Sequence, residues 1–379
     1  MTRTRTLQPY LRHIHLPSDA ASATFPTYCV AAAIQARLQR AQLDFKAAPS
    51  SPDSSPPPPT LVTFTPTPTY TLGRRQHSSS HGKPTSPPSL PTPSSRFLIL
   101  PSELQALARP LHLQHATPSP PPSYDDPVVL RTERGGLTTY HGPGQLVMWP
   151  VIDLKGGGSG NLPSPTTTTI KHTGSRRHRP FGVRQYAELL QDVTAVVLAR
   201  LWGLAGTTTC DPGVWVAGRK VAAMGVHLRR HVTGLGVALN LSTPVTSPGD
   251  GGGGSPVAAT DAELLASNPW LRFVPCGLEG KHVTSVAEEL RLGGRSGCGP
   301  DPLDPADAGR AVATAWADEF AARIIGGSST VDADAGPAVQ TVGDDEVQQL
   351  VADVADEARL IEEESRLWPA RPDLDSART

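Results

Sequence analysis

Apolar positions along the chain follow two periods, and each period predicts one kind of element. Short apolar runs predict strands over residues 11–16, 61–64, 70–72, 97–100, 128–131, 214–216, 220–228, 237–241 and 271–274. Apolar residues at helical spacing predict helices over residues 28–43, 183–202, 285–290 and 312–324. Because strands and helices alternate irregularly and short hairpins occur, this pattern favours an α+β fold over a doubly wound parallel sheet.

Low-complexity segments interrupt the pattern. They are rich in Pro, Ser, Gly or Thr and lie near residues 47–59, 76–96, 117–126, 155–180 and 244–262. Such segments bury too little apolar surface to become ordered, so we predict long disordered inserts in a single domain over residues 10–326. Residues 327–379 form an acidic C-terminal tail, in which apolar spacing predicts a helix over residues 344–364.

Composition narrows the possible functions. The formal net charge of −1 argues against a nucleic-acid-binding protein that works by neutralising phosphates. No apolar run reaches the length of about 18 residues that a membrane-spanning helix needs. The four cysteines, at positions 29, 210, 276 and 298, lack metal-ligand spacing, so we expect free thiols and no metal site.

The N-terminal residues have the charge of a mitochondrial presequence. Arg3, Arg5 and Arg12 occur before the first acidic residue, Asp19. The predicted strand over residues 11–16 overlaps this segment, so the charge pattern and the strand pattern compete for it.

Residues 134–146 read RGGLTTYHGPGQL and form the most informative run of the chain. Glycines and a proline between strand-like segments favour a sharply bent backbone with accessible N–H groups, which suits close approach by a small ligand. Two later runs have a similar character: GVWVAGRKVAAMGV at 213–226 and FVPCGLEGKHVTSVAEEL at 273–290.

Taken in this order, the three runs resemble the lipoyl(octanoyl) transferases, which transfer octanoyl groups from acyl carrier protein to proteins. The run TYTLGRR at 69–75 matches an early strand end of the family. The resemblance covers roughly residues 10–326. It implies a biotin/lipoate protein ligase-like fold, with one mixed sheet packed against helices, and a place in the mitochondrial matrix.

The resemblance also implies the residues of the site. The catalytic pair is Cys276, which takes the octanoyl group as a thioester, and Lys220, which lowers the pKa of that thiol and assists proton transfer. His141 is expected to polarise the thioester carbonyl. The substrate-binding residues are Arg134, Gly135, Gly136, Leu137, Thr138, Thr139, Tyr140, His141, Ala223, Met224, Gly225, Gly236, Val237 and Ala238.

The implied reaction needs no cofactor. Octanoyl-acyl carrier protein is the donor, and the acceptors are a lysine of the lipoyl domains of 2-oxoacid dehydrogenase complexes and of the glycine cleavage H protein. Because the incoming acyl group is already a thioester, ATP is not required. The chain departs from the family at Leu235, where the family usually has histidine before its Gly-x-Ala-Leu-Asn strand.

Other functions fit parts of the sequence. An isolated cysteine such as Cys276 is often a buried structural thiol, and an isolated lysine such as Lys220 is usually a surface charge. An ATP-dependent lipoate-protein ligase would have the same fold and would not depend on this cysteine; no GxxxxGK[ST] loop is present. A non-catalytic partner of lipoylated complexes is the third alternative.

Overall fold

The computed structural model describes residues 10–18, 25–48, 55–79, 98–112, 124–156, 180–245, 261–274, 281–294, 299–325 and 337–369. Four of the five predicted inserts lie mostly outside these described residues, and of the fifth, 47–59, residues 49–54 do. No helix in the described part of the chain is long and apolar enough to cross a membrane.

Strands and helices of the described residues follow one another irregularly. The strands are β1 Leu11–His15, β2 Thr60–Phe64, β3 Thr69–Leu72, β4 Leu98–Ile99, β5 Leu111–His112, β6 Tyr124–Asp125, β7 Val128–Arg131, β8 Thr138–His141, β9 Gln145–Val151, β10 Val214–Val216, β11 Arg219–Arg229, β12 Val232–Asn240, β13 Val339–Thr341 and β14 Arg366–Trp368. The helices are α1 Tyr28–Ala47, α2 Arg74–Ser79, α3 Val183–Trp202, α4 Asp261–Ser267, α5 Val286–Leu292, α6 Pro305–Ile325, α7 Asp344–Asp353 and α8 Ala355–Ser365. Two 3₁₀ helices lie at Ser102–Ala108 and Pro269–Arg272.

The strands form two main sheets, whereas the sequence predicted one. The first has the order β10-β11-β12-β9-β2-β1-β13, and the second has the order β4-β14-β7-β3-β8. Pro66 and Pro68 separate β2 from β3, and because proline cannot donate a backbone hydrogen bond, they end the first sheet and let the chain enter the second. The α+β class and its mixed strand pairing are confirmed.

Helices cover both faces of the larger sheet. Alternate residues of β9 point to opposite faces, as strand geometry requires. Met148 packs with α3 and α6, and Trp149 packs with α1. The sheet is therefore buried on both sides, which gives the loops at its ends a rigid support.

Residues 269–274 differ from their prediction. The sequence predicted a strand over residues 271–274, but Pro269–Arg272 is a 3₁₀ helix. Asn268 caps it, since its Oδ1 accepts a hydrogen bond from Trp270 N at 3.0 Å, and Pro269 stands at the first turn. Asparagine followed by proline is a strong helix-start signal, and it outweighs the β propensity of the apolar residues that follow.

The C-terminal residues 337–369 pack on the rest of the described chain. β13 pairs with the edge strand β1, and β14 lies between β4 and β7. The helix predicted over residues 344–364 is present as α7 and α8, which meet at the fully buried Val354. Arg37 of α1 forms an ion pair with Glu357 of α8 at 2.7 Å.

Two histidines of β1 are expected to make the fold acid-sensitive. His13 Nε2 and His15 Nδ1 lie 2.9 and 2.8 Å from the same hydroxyl, Thr63 Oγ1. Burial lowers the pKa of each to about 4; the neighbouring His15 adds to the shift of His13, and Arg310 makes a smaller contribution to both. Because these pKa values are lower in the folded than in the unfolded chain, the stabilisation is complete above pH ~6.5 and is lost as the pH falls towards 4.

Urea unfolding at pH 7 and pH 5 measures this effect. We expect His13 and His15 together to lower the free energy of unfolding by about 2–4 kcal/mol at pH 5, from ~1.4 kcal/mol per pH unit for each histidine. A His13→Gln/His15→Gln double variant should lose this part of the pH dependence and keep the part that comes from the buried His141, whose pKa burial also lowers to about 4, whereas the exposed His231→Gln control should keep all of it. A double variant with the pH dependence of the parent chain would contradict the assignment.

Candidate active site

A small cavity lies between the N-terminus of α1 and strands β8, β9, β11 and β12. Its volume is about 50 Å³. The structure brings to it, from the predicted substrate-binding residues, Arg134, Thr139, His141, Ala223, Met224, Gly225, Gly236, Val237 and Ala238. Three segments that are separate in sequence, 134–141, 223–225 and 236–238, therefore share one cavity.

Five other predicted substrate-binding residues lie away from the lining of this cavity: Gly135, Gly136, Leu137, Thr138 and Tyr140. The Tyr140 ring is fully buried in the core below the second sheet, with ring centroids 5.3 Å from Tyr70 and 5.7 Å from Trp270. Strand alternation explains the division within β8, because Thr139 and His141 face the cavity while Thr138 and Tyr140, which alternate with them, face the other side.

The cavity also has lining residues that the sequence analysis did not select. These are Tyr28, Trp149 and Leu235. The Tyr28 ring stacks on His141 with centroids 5.5 Å apart, and the Trp149 ring meets Tyr28 edge-on at 5.2 Å. Tyr28 precedes His141 by more than a hundred residues, and no local pattern indicates that the first residue of α1 reaches β8.

Leu235 occupies a left-handed backbone conformation beside the cavity. Its φ is 61°, and its backbone N–H donates to Gln35 Oε1 at 2.5 Å. A non-glycine residue in this region costs about 1–2 kcal/mol. The departure from the family noted in the sequence therefore coincides with a strained position in the cavity wall.

Gly236 has a structural reason to be glycine. A Cβ at this position would lie 2.1 Å from the backbone oxygen of Met148 on β9. Any side chain would therefore force β9 and β12 apart. The residue lines the cavity and at the same time permits the strand pairing that forms its floor.

The polar groups of the cavity are few and mostly anchored. Arg134 is buried, and its Nε donates to Thr71 Oγ1 at 3.1 Å while its Nη1 donates to its neighbour's oxygen, Gly135 O, at 3.1 Å. Thr139 Oγ1 is buried and has no hydrogen-bond partner among the described residues. A ligand carbonyl or hydroxyl in the cavity would find this hydroxyl available.

His141 is held as a neutral ring. Its Nδ1 lies 2.8 Å from Gln145 Oε1. Burial lowers the pKa of His141 to about 4, the hydrogen bond to Gln145 opposes that shift, and the nearby Arg134 guanidinium adds to it. The imidazole is therefore uncharged at neutral pH.

Lys220 is buried, so the interpretation as a surface charge is wrong. It lies on β11, only three residues before the cavity residue Ala223. Its Nζ donates to Pro212 O at 3.0 Å and lies 4.8 Å from the centroid of the Trp215 ring. A carbonyl dipole and an aromatic face both stabilise an ammonium, and together they fix its position at the end of the strand.

The segment Lys281–Ser285 is bonded to the backbone of Lys220. Lys220 N donates to His282 O at 2.9 Å, and Thr284 N donates to Lys220 O at 2.9 Å. The predicted nucleophile, Cys276, lies outside the described residues, in the six residues that connect Val274 to Lys281. The segment that begins five residues after Cys276 therefore lies beside Lys220.

Comparison with known proteins agrees with this geometry. Residues 125–296 match the family described as the lipoyl protein ligase A/B catalytic domain. That segment holds the cavity residues of β8 to β12, Lys220 and Cys276. The match also confirms the lipoate-ligase type of fold implied by the sequence resemblance.

Relatives of the lipoyl protein ligase A/B family cover different shares of the chain. The mitochondrial octanoyl-[acyl-carrier-protein]:protein N-octanoyltransferase of Xenopus tropicalis is 36% identical over 42% of this chain and 48% of its own length. A Schizosaccharomyces pombe protein named "Probable octanoyltransferase" is 28% identical over 68% of this chain and 78% of its own length. The octanoyltransferase of Xanthomonas campestris is 35% identical over 45% of this chain and 53% of its own length.

Coverage and structural similarity are limited. The chain spans about half the length of the Xenopus tropicalis relative that it matches. Among solved structures, one of lipoate-protein ligase A bound with ATP aligns with 94% of this chain and with 99% of its own chain. The identity is 9% and the TM-score is 0.41.

Other cysteines are poor candidates for a nucleophile or lie outside the described residues. Cys29 is buried in α1, and burial raises the pKa of its thiol to about 12. Cys210 is exposed, 4.0 Å from Asp211 Oδ2. Cys298 lies outside the described residues.

Proposed function

We propose that this protein is an octanoyltransferase of protein lipoylation, which transfers an octanoyl group from octanoyl-acyl carrier protein to a lysine of lipoyl domains. One observation carries the proposal. A single strand, β11, holds the buried ammonium of Lys220 and, three residues later, the wall of an apolar cavity. At about 3.3 Å per residue, Ala223 lies roughly 10 Å along β11 from Lys220, so an acyl chain in the cavity would lie near a fixed cation. The names of the relatives support the same activity.

The reaction balances as two acyl exchanges. In the first, the Cys276 thiolate attacks the thioester carbonyl of the loaded carrier, the carbon–sulfur bond to the carrier breaks, and the carrier leaves as a thiol after taking a proton. In the second, the neutral amine of the acceptor lysine attacks the Cys276 thioester, the Cys276 thiolate leaves, and the nitrogen passes one proton back to the Lys220 amine as the amide forms. Neither step needs ATP or a redox partner.

Lys220 has two roles in this scheme: it stabilises the Cys276 thiolate, and it donates a proton to the leaving carrier. A free thiol has a pKa near 8.5, so only about a tenth is ionised near pH 7.5. An ammonium about 4 Å away stabilises a thiolate by up to ~4 kcal/mol at an effective dielectric near 20, or roughly three pKa units. The same ammonium supplies the proton that the departing carrier thiolate takes up.

The cavity supplies binding for the alkyl chain and must widen to do so. Its volume of about 50 Å³ is roughly a third of that of a ~150 Å³ apolar cavity that binds benzene. An eight-carbon chain needs several times that volume. Met224 and Leu235 are the largest of the partly exposed apolar side chains of the lining, and their movement would open the cavity.

Partners and location follow from the same proposal. The acceptors are the lipoyl domains of 2-oxoacid dehydrogenase complexes and the H protein of glycine cleavage, and the reaction takes place in the mitochondrial matrix. Vertebrate and insect relatives carry the word mitochondrial in their names. The arginines before Asp19 agree with that location.

A transfer assay with purified octanoyl-acyl carrier protein and a lipoyl domain, without ATP, tests the proposal. We expect octanoylation of the acceptor by the parent chain and by Cys210→Ser, and none by Cys276→Ser. Transfer by Cys276→Ser at the parent rate would contradict the thioester route. Transfer only from free octanoate and ATP would establish the ligase alternative, and its absence under both conditions would favour a non-catalytic partner.

Replacement of Leu235 by glycine is expected to change the preferred acyl length. The change removes the left-handed strain and a side chain from the cavity wall, so the ratio of kcat/KM for dodecanoyl over octanoyl donors should rise about tenfold, as is typical for a few methylenes in an apolar pocket. Val226 pairs with Leu235 across the hairpin but does not line the cavity, so Val226→Ala is the control. An unchanged ratio in Leu235→Gly would contradict the assignment of the cavity to the acyl chain.

A further inference from the structure

A chain of buried side-chain amides connects the cavity to the segment that is bonded to Lys220. His141 Nδ1 lies 2.8 Å from Gln145 Oε1, and Gln145 Nε2 donates to Asn240 Oδ1 at 2.9 Å. Asn240 Nδ2 in turn donates to the backbone oxygen of Thr284 at 2.9 Å. All four residues are buried.

Two backbone carbonyls fix the direction of each hydrogen bond in this series of side chains. Thr284 O can only accept, so the amide nitrogen of Asn240 must face it and Asn240 Oδ1 must face Gln145. Tyr140 O, which also can only accept, lies 3.3 Å from Gln145 Nε2. Both constraints turn the Gln145 oxygen towards His141, and an oxygen there requires that His141 Nδ1 bears the proton.

Thr284, the last residue of this hydrogen-bonded series, is itself held in place. Thr284 N donates to Lys220 O at 2.9 Å, and Thr284 Oγ1 donates to Glu289 Oε1 at 2.6 Å. Glu289 is buried and forms a two-pronged ion pair with Arg219, with N···O distances of 2.8 and 2.9 Å. The Thr284 carbonyl therefore has little freedom to turn away from Asn240.

A neutral His141 with its proton on Nδ1 presents a lone pair at Nε2. The ring lines the cavity, and Nε2 forms no hydrogen bond with the residues that the structure describes. Such a nitrogen accepts a hydrogen bond and cannot donate one to a thioester carbonyl. Of the substrate groups in the proposed reaction, the thioester carbonyl only accepts, whereas the acceptor amine has N–H bonds to donate.

We propose that His141 orients the acceptor amine in the second exchange, and that Gln145 and Asn240 are positioning residues that hold it in the required tautomer. His141 Nε2 accepts a hydrogen bond from the amine N–H, which directs the nitrogen lone pair at the thioester carbon. This inference rests on the proposed function and replaces the expected role of His141 as a donor to the carbonyl. The low pKa of the buried ring agrees with a neutral acceptor.

Nitrogen NMR of the imidazole rings tests the tautomer without any assay of activity. Long-range ¹H–¹⁵N correlation at pH 7 on the parent chain distinguishes a ring protonated at Nδ1 from one protonated at Nε2, and His141→Gln assigns the signals. We expect Nδ1 to bear the proton and Nε2 to have none. A ring protonated at Nε2, or a charged ring, would overturn the inference even if the protein is an octanoyltransferase.

Half-reaction kinetics test the role. Gln145→Met removes the amide with little change in length, and we expect the aminolysis of preformed octanoyl-protein by a lipoyl domain to slow at least tenfold, while thioester formation changes less than threefold. Gln39→Met, which removes a different glutamine that donates to a backbone oxygen, is the matched control and should change neither step. Equal slowing of both steps by Gln145→Met, or slowing of neither, would contradict the role.

These two experiments separate the inference from the proposed function. If the parent chain forms no thioester with octanoyl-acyl carrier protein, the proposed function fails and the role of His141 in it fails too, whereas the NMR experiment still decides the tautomer. If the thioester forms and the tautomer is protonated at Nε2, the proposed function stands and the inference fails.

Discussion

Replacing Lys220 by methionine should lower the rate of thioester formation on Cys276 by roughly 10²–10⁴ at pH 7.5, the range typical for loss of a general acid–base group. The buried ammonium would no longer favour the thiolate or protonate the departing carrier. Methionine is close to lysine in length and apolar enough for the buried site, so the fold should persist. Single-turnover mixing with octanoyl-acyl carrier protein measures the rate.

The pH profile distinguishes a loss of electrostatic activation from a loss of folding. In Lys220→Met the rate should rise with pH up to the ordinary cysteine pKa near 8.5, whereas the parent rate should level off at lower pH. Lys281→Met is the matched control, since the Lys281 ammonium also lies over the Trp215 ring, at 5.5 Å, but is exposed. A fall in Lys281→Met as large as that in Lys220→Met, or an unchanged Lys220→Met, would contradict the assignment.

Ending the chain at residue 336 should abolish cooperative folding. This truncation removes β13 from the edge of the first sheet and β14 from the middle of the second. It also removes a set of buried apolar side chains, which are Val342, Val347, Val354, Ala358 and Leu367. At about 2 kcal/mol for each large side chain they contribute roughly 8 kcal/mol, comparable with the 5–15 kcal/mol total stability of a typical domain.

A chain that ends at Pro369 is the control for the truncation, because it keeps β14 and every described contact. Circular dichroism during thermal unfolding should show a sharp transition for this control, within a few degrees of the parent, and a broad or absent one for the shorter chain. A shorter chain that unfolds at the parent temperature would show that residues 337–369 act apart from the fold.

Local patterns in the sequence predicted the elements well. The spacing of Tyr186, Leu190, Val193 and Val197 fixes α3, and Ser285 caps α5 as its position three residues before Glu288 indicates. The failures arise where tertiary structure decides. The second sheet depends on β14 joining β7 from more than two hundred residues away, and a short apolar run cannot reveal its partner.

The candidate site divides in the same way. The glycine-rich run and the family resemblance predicted Arg134, Thr139 and His141, which line the cavity. They also predicted Lys220, which lies on β11, the strand that carries the cavity residue Ala223. The role of Tyr28 could not be predicted, because the contact between its ring and His141 exists only after α1 has packed on the sheet. The orientation of Gln145 likewise depends on Tyr140 O and Asn240, which meet it through the folded backbone.

The most direct test of the proposed function is intact-protein mass spectrometry after the purified chain is mixed with octanoyl-acyl carrier protein, without ATP. We predict a mass gain of one octanoyl group that hydroxylamine removes, that a lipoyl domain discharges, and that Cys276→Ser lacks while Cys210→Ser retains. Octanoylation of a lipoyl domain at the parent rate by Cys276→Ser, or transfer with no adduct on the parent chain even when the reaction is quenched at early times, would contradict a covalent octanoyl intermediate on Cys276.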